Sequence, residues 1–253
     1  MLPTRDDIGK ALIAEEEEVL LRCCSTSRSR SLYPAVVLAL NTRMRYSEIR
    51  LLQWKQVDLC RRTLLVGKSK TENGTGRTIP LNRRILVTIE MWAANFPNRR
   101  PEHYFFPAEK YGAGTNAFTP CVYETDVTKP IKNWKEAWEG AKRRAGVVLM
   151  QESKDAEPQR EGDGTEPAPL QCRFHDLRHT ACTRLLEGGV PYPVIATIMG
   201  WSASTAIRLA KRYGHIGQSA MRQAVEILEF AEIPLTSPKN PPKSESGHAE
   251  KFN

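Results

Sequence analysis

The sequence predicts an α+β domain that is mostly helical and carries one small antiparallel β-hairpin or sheet. Three observations carry this expectation. Apolar residues recur at helical spacing through most of the 253 residues. Strand-like patterning concentrates in one stretch, 61–81, broken by a turn around Asn73-Gly74. A hydrophobic fraction of 40% in a chain of this length supports one full core, with room for loose tails.

Each element has its own local reason. From Ile13 to Arg22 the run of four glutamates before Val-Leu-Leu reads as a helix with its acids at the positive N-terminal end. Leu32 to Leu40 is continuously apolar, a buried helix with Pro34 in its first turn. A short helix is expected to begin near Arg45, because Ile49, Leu51, Leu52 and Trp54 follow Ser47 closely. The hairpin pairs Thr63–Val66 with Arg77–Leu81 across a long basic tip, and Asn82 caps a helix running to about Asn95. The stretch 96–127, with Pro97, Pro101, Gly112 and Gly114, reads as loop. Val127 to Ala145 reads as an amphipathic helix with Trp134 and Trp138 on its core stripe. Residues 151–169 are polar and rich in Glu, Gly and Pro, a flexible loop within one domain. A helix follows from Phe174 to a glycine stop at Gly188-Gly189, and a last amphipathic helix spans roughly 218–231. The ends, 1–11 and 232–253, read as a loose segment and a disordered tail.

Charge narrows the function. The 37 lysines and arginines exceed the 29 acids, a formal charge of +8 that favours a polyanionic partner, although many basic proteins bind nothing acidic. From Arg61 to Arg84 there are seven basic residues against one acid, Glu72. Such a ribbon suits a nucleic-acid groove, while solvated lysines at a hairpin tip are the plainer reading. The six cysteines form no C-x-x-C pair and no zinc-ligand spacing, so they read as reduced thiols in a cytoplasmic protein. No signal peptide opens the chain, and no apolar run reaches the roughly 20 residues of a membrane span.

The stretch from Phe174 to Tyr213 concentrates groups that can hold an anion. His175 and Arg178, three apart, share one helix face, and a guanidinium fork matches phosphate oxygens. Met199-Gly200-Trp201 adds an indole donor, and Tyr213 follows in Lys211-Arg212-Tyr213-Gly214-His215. Arg45, at a helix start behind a buried helix, needs an anion too, either Glu48 or one brought from outside.

Taken together, an Arg at a helix start, a Lys on a basic hairpin, His-x-x-Arg on a helix, an indole donor and then a Tyr occur in an order that resembles the tyrosine recombinase (phage integrase) family. The matching text is Met44-Arg45-Tyr46-Ser47-Glu48, Ser69-Lys70-Thr71 with Arg77-Thr-Ile-Pro-Leu81, His175-Asp-Leu-Arg178-His179, Met199-Gly-Trp201 and Arg212-Tyr213. The resemblance covers about residues 12–231 and implies an integrase-like catalytic domain. By that resemblance Tyr213 attacks a DNA phosphate to form a 3′-phosphotyrosyl bond, and Arg45 and Arg178 grip the non-bridging oxygens. His175 and Trp201 add donors, with His175 able to accept the phenol proton, and Lys70 protonates the leaving 5′-oxygen. Glu48 orients Arg45 from behind. No metal or cofactor is implied, because the covalent link keeps the phosphodiester energy. Double-stranded DNA is the implied partner, with self-association on it as a tetrameric synapse. Arg43, Lys68, Arg77, Lys132, Lys135 and Arg143 are further candidates for DNA contact.

Three departures stand out. Arg43 occupies a place where the family usually has Gly, Trp201 one more often held by His, and Lys68 competes with Lys70 for the acid role. Only about a dozen residues precede the helices, where a clamp domain is usual in the family. Two other functions fit parts of the pattern: a tyrosine-type topoisomerase, and an idle DNA-binding remnant of a mobile element.

Overall fold

The buried run Leu32–Leu40 sets the architecture. In the computed structural model, which describes residues 10–113, 120–156 and 167–207, it forms α2 (Leu32–Thr42). The described residues all belong to one compact unit, Met1–Lys211. Nearly every residue of α2 is buried, because the helix is covered by α1 (Ala14–Ser25), α3 (Tyr46–Arg50), α4 (Arg83–Ala93) and α6 (Asp176–Glu187). A helix apolar all round has to be enclosed in this way. The Asn82 side chain accepts the Ile85 N–H at 3.0 Å and starts α4 as the sequence predicts.

The hairpin is present and is joined by a third strand. β1 (Val57–Asp58), β2 (Thr63–Leu65) and β3 (Thr78–Pro80) form an antiparallel sheet in that order, with Leu64 opposite Ile79, both buried. The loop between β2 and β3 is closed at its base by Val66 N–H to Arg77 C=O and Gly76 N–H to Val66 C=O, each 2.9 Å.

Three expectations need correction. The loop expected over 96–127 contains two strands, β4 (Pro107–Ala113) and β5 (Pro120–Pro130), paired antiparallel with register shifts after Pro107 and Lys110. Phe105 and Phe106 enter that hairpin fully buried, and glycines nearby disguised the strand pattern. The helix expected from Val127 is instead α5 (Lys135–Ala156). Val127 and Thr128 are β-branched and suit the strand, and Pro130, which has no N–H, stands at its end. The Asn133 side chain then accepts the Lys135 N–H at 2.9 Å at the helix start. Finally, residues 151–156, expected in the flexible loop, continue α5, and Arg22 donates to Glu152 at 2.8 Å. After residue 167 the chain crosses α5 closely: a Cβ on Gly146 would lie 2.0 Å from the Ala168 oxygen.

An aromatic cluster joins the two halves of the site. Trp134 stacks on Phe174 at 6.1 Å, and Tyr46 meets both rings edge-on, at 5.4 and 5.1 Å. The Tyr46 hydroxyl accepts the Trp134 N–H at 2.9 Å, and the indole donates to Ser31 at 2.9 Å. Tyr46 adjoins Arg45 and Phe174 adjoins His175, so core packing fixes where both functional segments stand. Truncating Trp134 to Ala would remove about 3–5 kcal/mol of this packing.

Candidate active site

Arg45 caps α3 in an extended conformation, and its N–H donates to Glu48 Oε2 at 2.8 Å. Its guanidinium donates through Nη1 to Glu48 Oε1 at 2.9 Å and Ser69 Oγ at 2.8 Å, and through Nη2 to Thr71 Oγ1 at 3.4 Å. Glu48 therefore meets the need of Arg45 for an anion only in part, since it is shared. Its side chain is fully buried and also accepts Ser69 Oγ–H at 2.5 Å and Arg77 Nη2 at 2.6 Å. Burial alone would raise its pKa. The hydrogen bonds from Arg77, Ser69 and the Arg45 backbone outweigh burial and hold it at about 2.

Arg178 projects from the first turns of α6 and is 4% exposed. It donates to the backbone carbonyls of Arg43 and Met199. Burial first, then repulsion from Arg45 and Arg77, pushes its pKa down to about 9, with Glu48 partly offsetting. Two guanidiniums thus pair with one carboxylate, and a third, Arg178, lies close enough to feel all three charges. Buried cations that repel one another in this way gain from any anion brought among them.

The carbonyl of Arg43 reaches Arg178 because Arg43 ends α2 in the left-handed conformation, φ 57°. This explains why glycine suits the position; a side chain there costs about 1–2 kcal/mol. The Arg43 side chain is half-buried near Cys182, and its Nε has no partner among the described residues.

His175 is exposed at the start of α6, and its carbonyl accepts the Arg178 N–H at 3.0 Å. Its ring lies edge-on to His179, centroids 5.3 Å apart. Partial burial, His179 and Arg178 together lower its pKa, which favours the neutral imidazole, a form that carries one acceptor nitrogen. Trp201 is half-buried against the small cluster of Cys182, Ile195 and Met199, below the end of α7 (Tyr192–Met199). Gly200 takes φ 61°, and a Cβ on it would come within 2.9 Å of Gly74 Cα and 3.2 Å of Arg77 Cδ. The Met-Gly-Trp corner is therefore pressed against the hairpin loop.

Lys70 is exposed between Ser69 and Thr71, the two residues whose hydroxyls hold Arg45. Lys68 is also exposed and lines a cleft with Gln53, Lys55, Gln56 and Tyr104. Lys132, Lys135 and Arg143 are exposed, and Lys132 and Arg143 border a separate cavity of about 750 Å³ with Arg28 and Glu136. Arg77, expected on the DNA surface, is instead 8% exposed, with its donors turned inward. Tyr213 and the helix expected over 218–231 lie outside the described residues.

Sequence reasoning missed Ser69, Thr71 and the inward turn of Arg77. The flanking Lys68 and Lys70 drew the eye to the loop as a basic surface. A Ser and a Thr alternating with lysines opposite an Arg–Glu pair was the available signal.

What this fold and cluster define is a mostly helical domain that gathers guanidiniums from three separate segments onto one small sheet. Its kinship is direct: the chain belongs to the phage integrase family, whose model matches residues 10–218. It is 24% identical over 188 residues to the integrase of Salmonella phage P22, covering 74% of this chain and 40% of that protein. It is 28% identical over 208 residues to the shufflon-specific DNA recombinase of Escherichia coli, covering 82% and 40%. The chain thus spans about 40% of the length of these curated relatives. In fold it is similar to the Tn1549 transposon integrase, solved in complex with transposon right-end DNA, with a TM-score of 0.55 and 20% identity over 90% of this chain and 68% of that one. The catalytic domain of bacteriophage HP1 integrase superimposes with a TM-score of 0.51 at 21% identity, over 91% and 98%. Among the described residues no helix is long and apolar enough to cross a membrane.

Proposed function

We propose that this chain is the catalytic domain of a site-specific DNA recombinase that acts in the cytoplasm on double-stranded DNA, as a self-associated assembly. Tyr213 is the nucleophile. Its oxygen bonds to phosphorus, the bond from phosphorus to the 5′-oxygen breaks, and a 3′-phosphotyrosyl link and a 5′-hydroxyl result. A phenol with a reference pKa of about 10 is a weak nucleophile at neutral pH, so it has to react beside cations. Arg45 and Arg178 supply them by holding the non-bridging oxygens as charge builds on the five-coordinate phosphorus. His175, as the neutral imidazole, takes the phenol proton, Trp201 donates to the phosphate, and Lys70 protonates the departing oxygen. Lys70 is preferred to Lys68 because its neighbours on both sides bond to Arg45. Rejoining runs the same steps backwards with a new 5′-hydroxyl, so no cofactor is consumed. Lys68, Lys132, Lys135 and Arg143, all exposed, are assigned to the DNA backbone, with the half-buried Arg43 as a further candidate.

The observation that supports this reading most is the shared electrostatics of Arg178, Arg45 and Arg77 around the single carboxylate of Glu48. The experiment is covalent capture from a pool of nicked duplexes of random sequence. Denaturing gels should show a protein–DNA adduct with a free 5′-hydroxyl, and Tyr213→Phe should abolish it. Absence of any adduct across a salt series would defeat the proposal in favour of a DNA-binding remnant. Relaxation of a supercoiled plasmid without strand exchange between two duplexes would favour a topoisomerase.

A further inference from the structure

Arg77 is buried, charged and not accounted for by the steps above. Its side chain is 5% exposed, and its guanidinium serves three separate segments at once. Nη2 donates to Glu48 Oε2 at 2.6 Å and Nη1 to Glu48 Oε1 at 3.2 Å, on α3. Nη1 also donates to the Gly74 carbonyl at 2.6 Å, in the hairpin loop that carries Lys70. Nε donates to the Ile198 carbonyl at 3.2 Å, one residue before the Met199-Gly200-Trp201 corner.

Stability alone does not call for an ion pair here. A buried pair can often be replaced by apolar side chains of similar volume without loss, because desolvation cancels most of the attraction. A planar fork with donors in fixed directions, by contrast, sets relative positions that apolar contacts leave loose. The three segments it joins bear Arg45, Lys70 and Trp201. The corner has no slack of its own, since Gly200 already approaches Gly74 and the Arg77 side chain as closely as a missing Cβ permits.

We propose that Arg77 is a positioning residue for the cleavage reaction. By bridging Glu48, Gly74 and Ile198 it holds Arg45, the Lys70 loop and the Trp201 corner in one arrangement about the scissile phosphate. This rests on the recombinase reading above for its chemistry, and on the geometry alone for the clamp. Arg77 touches neither DNA nor the reacting atoms. Its loss therefore slows the chemical step and leaves DNA affinity nearly intact.

The test compares wild type, Arg77→Lys and Arg77→Met in single-turnover adduct formation on a nicked duplex recovered from the pool above. The Met variant is expected to lower the rate constant at saturating DNA by about 30-fold, with the half-saturating concentration within about threefold of wild type. The Lys variant, which keeps the charge but not the fork, should recover part of the loss. The Met variant should also lose rate on the acid side at higher pH than wild type, because Glu48 no longer has its strongest hydrogen bonds. The comparison is made only at pH values where urea unfolding shows both proteins fully folded, so that a change in folding does not enter the profile. A wild-type rate constant in Arg77→Met, or a loss confined to half-saturation, would overturn the proposal. If the Met variant does not fold, the Lys variant decides: a wild-type rate and pH profile would count against the clamp. Should wild type itself form no adduct, the recombinase reading has failed, and amide exchange decides on the clamp. Residues 67–76 and 198–201 should then exchange at least about tenfold faster in the Lys variant while α4 is unchanged; unchanged exchange there would overturn it.

Discussion

Two buried carboxylates, Glu17 and Glu48, each collect two guanidiniums, and the contrast between them shows what separates a staple from a site. Glu17 on α1 accepts Arg84 at 3.3 Å and also Arg184, tying α4 and α6 to α1. Both arginines are close to half exposed, at 48% and 44%, so water already solvates their charge. Glu48 faces Arg77 and Arg45, whose side chains are 5% and 20% exposed, with Arg178 buried near by. The same chemical pair is thus screened in one place and shielded in the other. Only beside the shielded cluster do burial, first, and then the repulsion of neighbouring guanidiniums push an arginine down to about 9.

The sharpest way to break this comparison is Arg178→Met. Adduct formation should fall by about 10²–10³-fold, as for loss of one oxyanion donor, while urea unfolding shows little loss of stability, because removing a buried, repelled charge offsets the two carbonyl hydrogen bonds that go with it. Next comes Glu48→Gln, which leaves guanidiniums without their buried partner and should cost about 3 kcal/mol in urea unfolding at pH 7. Its pH dependence has a defined sign. The folded pKa of about 2 lies below the ordinary 4.5, so the carboxylate stabilises the fold above pH 4.5. The gap between wild type and Glu48→Gln should therefore close as pH falls from 4.5 towards 2; a gap independent of pH would refute the assignment. A smaller effect lies at the backbone beneath Arg178. Arg43→Gly relieves the left-handed strain and should raise stability by about 1 kcal/mol, visible as a higher urea midpoint. The smallest is Glu17→Gln, expected to cost about 0.5 kcal/mol because its partners are exposed. A loss matching that of Glu48→Gln would erase the distinction between the two clusters.

How legible the molecule was depends on the range of the interaction. Helices carried by local periodicity and caps, such as Leu32–Leu40 or the Asn82 start of α4, could be read directly. The Arg45–Glu48 and His175–Arg178 spacings were legible for the same reason, since three residues on one helix turn determine a neighbourhood. β4 and β5 were not, because their pairing is non-local and Gly112, Pro107 and Pro130 resemble breakers in isolation. Arg77 illustrates the limit most clearly. Nothing in Gly-Arg-Thr-Ile-Pro says whether the guanidinium meets solvent or Glu48, 29 positions earlier. Its direction is decided by the arrival of Ile198, 121 residues further on.

The ring contact between Tyr46 and Phe174 has a mechanical meaning. Arg45 and Arg178, the two guanidiniums proposed to hold the phosphate, ride on segments far apart in the chain, yet the spacing of those segments is gauged by the width of interlocked aromatic rings rather than by the closure of a loop. The aperture between them is consequently as incompressible as the core itself, and on the proposed reading the phosphate must conform to it.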